Sequence, residues 1–357
     1  MNKASRGVLS PGTRVAVTGA TGFIGSAIVR ALSAKGVDIV AVCEPGADDV
    51  NLDGVDVTRR SADIRDRHAV TAAIKGARVV FHTAALYRFW TKNPEDFYAI
   101  NVEGTRHVLE AARTTNSELV VYTSSAGVLG LDGVGARGPA AENSYARVDH
   151  LFGRYKESKY VAEHEALRAC AKGDPVVLVL PTTPLGPGDR APTPTGRIVV
   201  DFLNGRMPGW YDTTLNVVDV DDVASGHLRA AEHGGIGHSY LLGGENLTLR
   251  SLLFTLAEVS GLPPPRFQVP RTLALGAAVI SELVEGRLLG RAPRIPLEGA
   301  RMAATTMAFD DSLARAELGY TSRPAREAIE RSVRYFVDEG YVRPDRLPKL
   351  RIVSAPR

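Results

Sequence analysis

Cysteine is scarce: two in 357 residues, Cys43 and Cys170. With no Cys-x-x-Cys and no His-x-x-x-His, a disulfide scaffold is excluded and a zinc site has no support, so no metal is expected. The pair reads as two unpaired, buried thiols, Cys43 lying in the apolar run 39–43. An excess of one charge is also missing. Lys+Arg number 43 against 40 Asp+Glu, and outside the tail (Arg343, Arg346, Lys349, Arg351) the basic residues are scattered, which argues against a nucleic-acid reader. No apolar run reaches the roughly 18 residues that span a bilayer, and residues 1–12 lack an apolar signal core. The expectation is a cytoplasmic chain with no membrane span. Residues 273–280 are the most apolar stretch; with Glu282 and Glu285 following, a helix buried in the protein is expected, a lipid-facing one being the lesser alternative.

What is present is alternation. Short apolar runs at 14–17, 39–43, 79–81, 119–122 and 176–180 alternate with segments whose apolar residues recur at helical spacing, such as Ile24, Ile28, Val29 and Leu32. Continuous apolar strands between helices indicate a parallel sheet covered on both faces, a doubly wound α/β layout. Residues 216–220 and 239–242 read as late strands of the same sheet. From Pro181 to Gly196, prolines and glycines every few residues mark irregular backbone of the kind that builds binding loops. Residues 250–340 are mostly helical. The expected division is a dinucleotide-binding domain of Rossmann type at 12–186 plus about 216–245, a smaller, mostly helical substrate domain at 187–215 and 246–341, and a loosely held tail at 342–357.

The stretch V-T-G-A-T-G-F-I-G places Gly19, Gly22 and Gly25 directly after the first strand and directly before the first helix. A helix N-terminus offers unpaired N–H groups and the positive end of a dipole, and missing side chains let a pyrophosphate reach the backbone. In this strand-turn-helix context the glycines read as a dinucleotide cradle. Glu44 follows the second strand, 19 residues after Gly25, near the offset at which an acid receives the adenosine ribose hydroxyls. An acid there repels a 2′-phosphate, which favours NAD over NADP while leaving NADP open. Asp63-Ile64 is placed to cover the adenine.

The catalytic signal is Y-K-E-S-K. Tyr155 alone among 11 tyrosines has a lysine, Lys159, four positions on, one helical turn away. A phenol has a pKa near about 10, too high for ready proton exchange, and a fixed ammonium nearby would lower it. Ser125, in Y-T-S-S-A-G at the end of the fourth strand, is positioned to hold a substrate oxygen, with Ser124 as the rival.

These motifs together resemble the extended short-chain dehydrogenase/reductases, the NAD-dependent epimerase/dehydratase family. They occur in that family's order, with His82-Thr83-Ala84-Ala85, Asn101 in N-V-E-G-T, Pro181 and V-D-V-D-D-V-A at 218–224, over nearly the whole chain. Within the family the chain is most similar to the hopanoid-associated sugar epimerases, related to dihydroflavonol 4-reductases, through N-P-E-D-F-Y-A-I-N-V-E-G-T, P-T-P-T-G-R-I-V-V-D-F-L-N-G-R-M-P and L-L-G-G-E-N-L-T-L. The resemblance implies a triad of Ser125, Tyr155 and Lys159. It also implies a cofactor site lined by Gly19, Gly22, Phe23, Ile24, Gly25, Asp63, Ile64, Thr83 and Ala84, with Pro181 and Thr182 near the nicotinamide, and a homodimer through the helices at 101–112 and 155–167. Two departures matter. Glu44 stands where many reductase-type relatives have Arg, and Leu180-Pro181-Thr182-Thr183-Pro184 replaces the asparagine-bearing stretch of nucleotide-sugar epimerases.

Leu86-Tyr87-Arg88-Phe89-Trp90 puts three aromatics at the sheet's carboxyl edge, where ligands of open α/β sheets bind, and Trp210 and Tyr211 are expected to face them. Such a pocket suits a bulky or partly apolar carbonyl compound. The function expected is an oxidoreductase moving a hydride between nicotinamide and a carbonyl or secondary alcohol of a small molecule. A sugar epimerase that retains its NAD, and a dinucleotide-binding protein without turnover, stand as alternatives.

Overall fold

A computed structural model describes residues 6–130, 138–144, 146, 151, 153–303 and 305–351. The chain runs β1 (Arg14–Thr18), α1 (Phe23–Ser33), β2 (Asp38–Cys43), β3 (Thr58–Ser61), α2 (Arg67–Ile74) and β4 (Val79–His82). Next come α3 (Asp96–Tyr98), a π-helical turn (Ala99–Glu103), α4 (Gly104–Thr114), β5 (Leu119–Thr123), α5 (Arg154–Ala171) and β6 (Val176–Pro181). Then follow β7 (Thr183–Leu185), α6 (Pro194–Leu203), β8 (Gly209–Trp210), β9 (Thr214–Asp219), α7 (Val220–His233) and β10 (Ser239–Leu242). The last part holds β11 (Glu245–Thr248), α8 (Leu249–Ser260), β12 (Phe267–Gln268), α9 (Arg271–Ser281), a second π-helical turn (Glu282–Leu288), α10 (Leu297–Ala303), α11 (Ser312–Leu318) and α12 (Ala325–Asp338).

Seven strands form one parallel sheet in the order β3-β2-β1-β4-β5-β6-β10. Strand alternation divides its side chains: Val15 and Val17 join α1, α7 and α11 in one core, while Ala16 joins α2, α4 and α5 in another. This is the Rossmann-like layout. The order reverses between β1 and β4, so a crevice opens at their carboxyl ends, where open α/β sheets bind ligands.

Several expectations need correction. The strand expected at 216–220 is not in this sheet: β9 pairs with β7 and β11 in a separate three-stranded sheet. Its Leu215 and Val217 face a third core built by α6, α8 and α12, and that packing draws it away. β3 had no apolar signal because Thr-Arg-Arg-Ser is a polar edge strand. Both thiols are free but only half-buried. The stretch after Tyr341 is held rather than loose as far as Arg351, with Val342 buried and the Arg351 N–H donating to the Ser260 carbonyl at 2.7 Å. The helix at 273–280 is not buried: Leu273, Val279 and Ile280 face outward and Ala278 is the buried residue of α9. Among the described residues no helix is long and apolar enough to cross a membrane.

The V-D-V-D-D-V-A stretch is structural. Asp219, fully buried, caps α7 at the Asp221 N–H and pairs with Arg331 at 2.5 Å, tying α12 to the sheet domain.

Candidate active site

At the glycine turn, Gly19 has φ +68, and a Cβ on it would lie 2.8 Å from the Ala84 backbone. A Cβ on Gly25 would lie 2.1 Å from the Gly19 carbonyl oxygen. Both glycines are thus required by close backbone packing across the β1–β4 crevice. Gly22 differs: a Cβ there would meet only the Gly19 oxygen, at 3.2 Å. It is the N-cap of α1, whose first turn carries neither a side-chain cap nor an acid. The N–H groups of Phe23, Ile24 and Gly25 therefore begin a helix that no side chain among the described residues caps, and the residues present fit the pyrophosphate of a dinucleotide.

Around this turn, Thr83 Oγ1 donates to the Thr18 carbonyl at 2.7 Å, and Thr83 and Ala84 back onto Gly19. Asn51 donates to the carbonyls of Thr21 (3.0 Å) and Gly188 (2.9 Å), tying the turn to the Pro/Gly-rich segment. Glu44 is exposed just past β2. Asp63 is bound at 2.6 Å by Arg65, whose guanidinium holds its carboxyl below the usual range and also feels Glu44. Arg65, two residues after Asp63, is thus a cation near Glu44 that the sequence reading did not name. Ile64 packs its side chain on Gly104, while its carbonyl lies 3.0 Å from His107 Nδ1. Pro181 ends β6, and Thr182 Oγ1 donates to Asn216 Oδ1 at 2.8 Å.

The structure brings Ser125, Tyr155 and Lys159 together. Tyr155 and Lys159 lie one turn apart on α5, both buried. Ser125 caps a short 3-10 turn after β5, its Oγ accepting from the Gly127 N–H at 3.1 Å, and acts to lower the pKa of the Tyr155 phenol. Ser124 Oγ, the rival, donates instead to the buried carboxylate of Glu163. Lys159 Nζ donates to the Thr123 carbonyl at 2.8 Å and lies 5.0 Å from the centre of the Tyr122 ring. Thr123 is held in turn by His227 (Nε2 to Oγ1, 2.9 Å), which burial keeps neutral with a pKa of about 4.

The phenol is not lowered as the Tyr-Lys spacing led us to expect. Burial pushes Tyr155 well above its ordinary value, the Tyr87 phenol adds to this, and the Ser125 hydrogen bond only partly opposes it. Tyr155 is therefore a neutral phenol at neutral pH, with a proton to give. Burial also lowers Lys159 to about 8, while the Glu163 carboxylate one turn further on α5 acts to raise it. Glu163 escaped the sequence reading, although its place four residues after Lys159 was visible. Glu163→Gln keeps an acceptor for Ser124 but removes the charge, so Lys159 should lose its proton at lower pH. We expect the alkaline fall in activity to move towards neutrality, with kcat at about pH 8 reduced roughly threefold to tenfold and kcat at about pH 6 nearly unchanged. An unchanged pH profile would remove Glu163 from the site.

The aromatic segment forms one wall. The rings of Tyr87 and Phe89 lie 4.9 and 6.4 Å from that of Tyr155. Asn101, on the π-helical turn after α3, fixes the segment by accepting from the Leu86 N–H at 2.7 Å and donating to Ser158 Oγ at 2.9 Å. Trp210 does not face this wall: it packs on Phe254 at 6.0 Å, and Tyr211 packs on the third core. Glu298 of α10, unforeseen from the sequence, caps α5 by accepting from the N–H groups of Arg154, Tyr155 and Lys156. Burial raises Glu298 to about 8 despite these donors. The C-terminal region thereby grips the helix that carries Tyr155.

The model of the NAD dependent epimerase/dehydratase family matches residues 15–243. A Synechocystis sp. protein with the provisional name dihydroflavonol 4-reductase is 40% identical over 331 residues, 92% of this chain and 95% of that protein. Sterol demethylase protein B of Methylococcus capsulatus is 33% identical over 329 residues, 91% of this chain and 99% of that protein. The crystal structure of gox2253 superposes with a TM-score of 0.81 at 39% identity, covering 92% of this chain and 99% of that one. The chain belongs to the NAD dependent epimerase/dehydratase family, the extended short-chain dehydrogenase/reductases. It is an NAD-dependent enzyme, an oxidoreductase or epimerase.

Proposed function

We propose that this member of the NAD dependent epimerase/dehydratase family is a reductase or dehydrogenase of a bulky, partly apolar carbonyl compound or secondary alcohol. The observation that carries the reading is the buried Tyr155, one helical turn from Lys159 and walled by Tyr87 and Phe89. Relatives whose names carry dihydroflavonol reduction and sterol demethylation support an apolar substrate.

NAD, when bound, supplies or accepts the hydride at nicotinamide C4. In the reducing direction Tyr155 Oη gives its proton to the substrate oxygen, and Ser125 Oγ hydrogen-bonds that oxygen as negative charge develops. Lys159, held by Thr123 and kept charged by Glu163, places an ammonium beneath the reacting groups and favours the phenolate left behind. The aromatic wall keeps water from the reacting atoms. In the oxidising direction the same phenolate takes the proton back.

The test is NADH oxidation against a panel of cyclic and aryl ketones beside nucleotide-sugars. Turnover of at least one ketone with one NADH consumed per product supports the reading. Conversion of a nucleotide-sugar with no net change in NADH would establish the epimerase instead. Two unpaired cysteines fit the reducing cytoplasm in which we place the enzyme. We also propose a homodimer through α4 and α5, to be read by sedimentation.

A further inference from the structure

The segment from α9 through the second π-helical turn turns its apolar side outward. Leu273, Ile280 and Leu288 are 65%, 64% and 79% exposed, and Ala277, Leu283 and Val284 continue an exposed stripe at spacings of three to four residues. A stripe at that spacing ordinarily faces a core, and a contiguous exposed one marks a contact surface. The charge around it is predominantly positive. Between residues 266 and 301 the chain has six arginines, no lysine or aspartate, and three glutamates: Glu282, Glu285 and Glu298. All three are engaged, Glu282 by the Leu297 N–H, Glu285 by Ser281, Arg291 and Arg294, and Glu298 by the start of α5. This tenth of the chain leaves three positive charges, as many as the net charge of the whole.

We propose that α9 and its π-helical extension dock in the plane of an anionic lipid surface, the apolar stripe in the acyl boundary and the arginines at the headgroups. An interfacial helix needs both features: apolar burial sets the depth, and cations add attraction to anionic lipid. The inner side of the same segment covers the aromatic wall, since Gly286 lies against Trp90 and Gly299 of α10 against Phe89. The docked surface would therefore sit over the wall beside Tyr155, a position from which a carbonyl compound dissolved in the bilayer could enter. The docking stands apart from the hydride-transfer reading; only this use of it rests on that reading.

The experiment is co-sedimentation of the full chain with vesicles of phosphatidylcholine alone and of phosphatidylcholine with about one-third phosphatidylglycerol. We expect binding to the mixed vesicles that weakens with salt. It should fall at least about tenfold in the triple variant Leu273→Ser, Ile280→Ser, Leu288→Ser. Arg287→Gln with Arg301→Gln should weaken binding to the mixed vesicles only. These residues face solvent, and an unaltered NAD titration certifies that each variant is folded. Sedimentation with neither vesicle, or equal sedimentation of parent and triple variant, overturns the proposal. A parent dimer that ignores vesicles and falls to monomer in the triple variant would also overturn it, assigning the face to a second copy of the chain.

Discussion

Tyr155→Phe should lower kcat for ketone reduction by about 10²–10⁴-fold while leaving NAD affinity unchanged. The substitution removes one oxygen from a buried ring that keeps its packing on Tyr87 and Phe89, so the fold is not at stake. What is lost is the only proton donor in the proposed scheme that meets Ser125, since Ser124 is committed to Glu163 and Lys159 to the Thr123 carbonyl. Steady-state rates with saturating NADH, beside an NADH titration, separate the two effects. Parental kcat in the Tyr155→Phe variant would place the acid elsewhere.

Gly25→Ala should weaken NAD binding. The added Cβ would sit 2.1 Å from the Gly19 carbonyl oxygen and 2.8 Å from Thr83 Oγ1, so the turn must open. Overpacking of this kind costs about 1–3 kcal/mol, which corresponds to roughly 5–150-fold in affinity if it falls on the cradle. Gly22→Ala makes the contrast: its Cβ meets only one oxygen at 3.2 Å, so the chain should keep its thermal stability and lose NAD affinity alone. Calorimetric titration with thermal melts measures both. Equal NAD affinity in both variants and the parent would mean that the pyrophosphate does not approach this turn.

Six strands of the main sheet were legible because they are apolar runs that need no alternation to be seen, as in Val176–Pro181, whereas the polar edge strand β3 was not. The glycine turn and the Tyr155–Lys159 pair were legible because local geometry alone, one turn and one helical repeat, brings their groups together. What stayed hidden depends on tertiary partners. β9 left the main sheet for a core that α8 and α12 supply from residues 249–338. Glu298 reaches α5 across more than 140 residues, as its bond to the Lys156 N–H shows. The direction of the Tyr155 shift turned on burial, which the Tyr-Lys spacing cannot express. α9 was misjudged for the same reason in reverse: its composition matches a buried helix, and only packing shows that Leu273, Val279 and Ile280 stay exposed among the described residues.

The central claim is that NAD enters and leaves with each turnover at the β1–β4 crevice. It is tested most directly by denaturing the purified protein, quantifying released nucleotide, and titrating cofactor-free protein with NAD and NADP. The account predicts little retained nucleotide and reversible binding that is tighter for NAD, the preference expected of an acid at Glu44. About one NAD retained per chain would contradict it in favour of an epimerase, and tighter binding of NADP would remove the role given to Glu44.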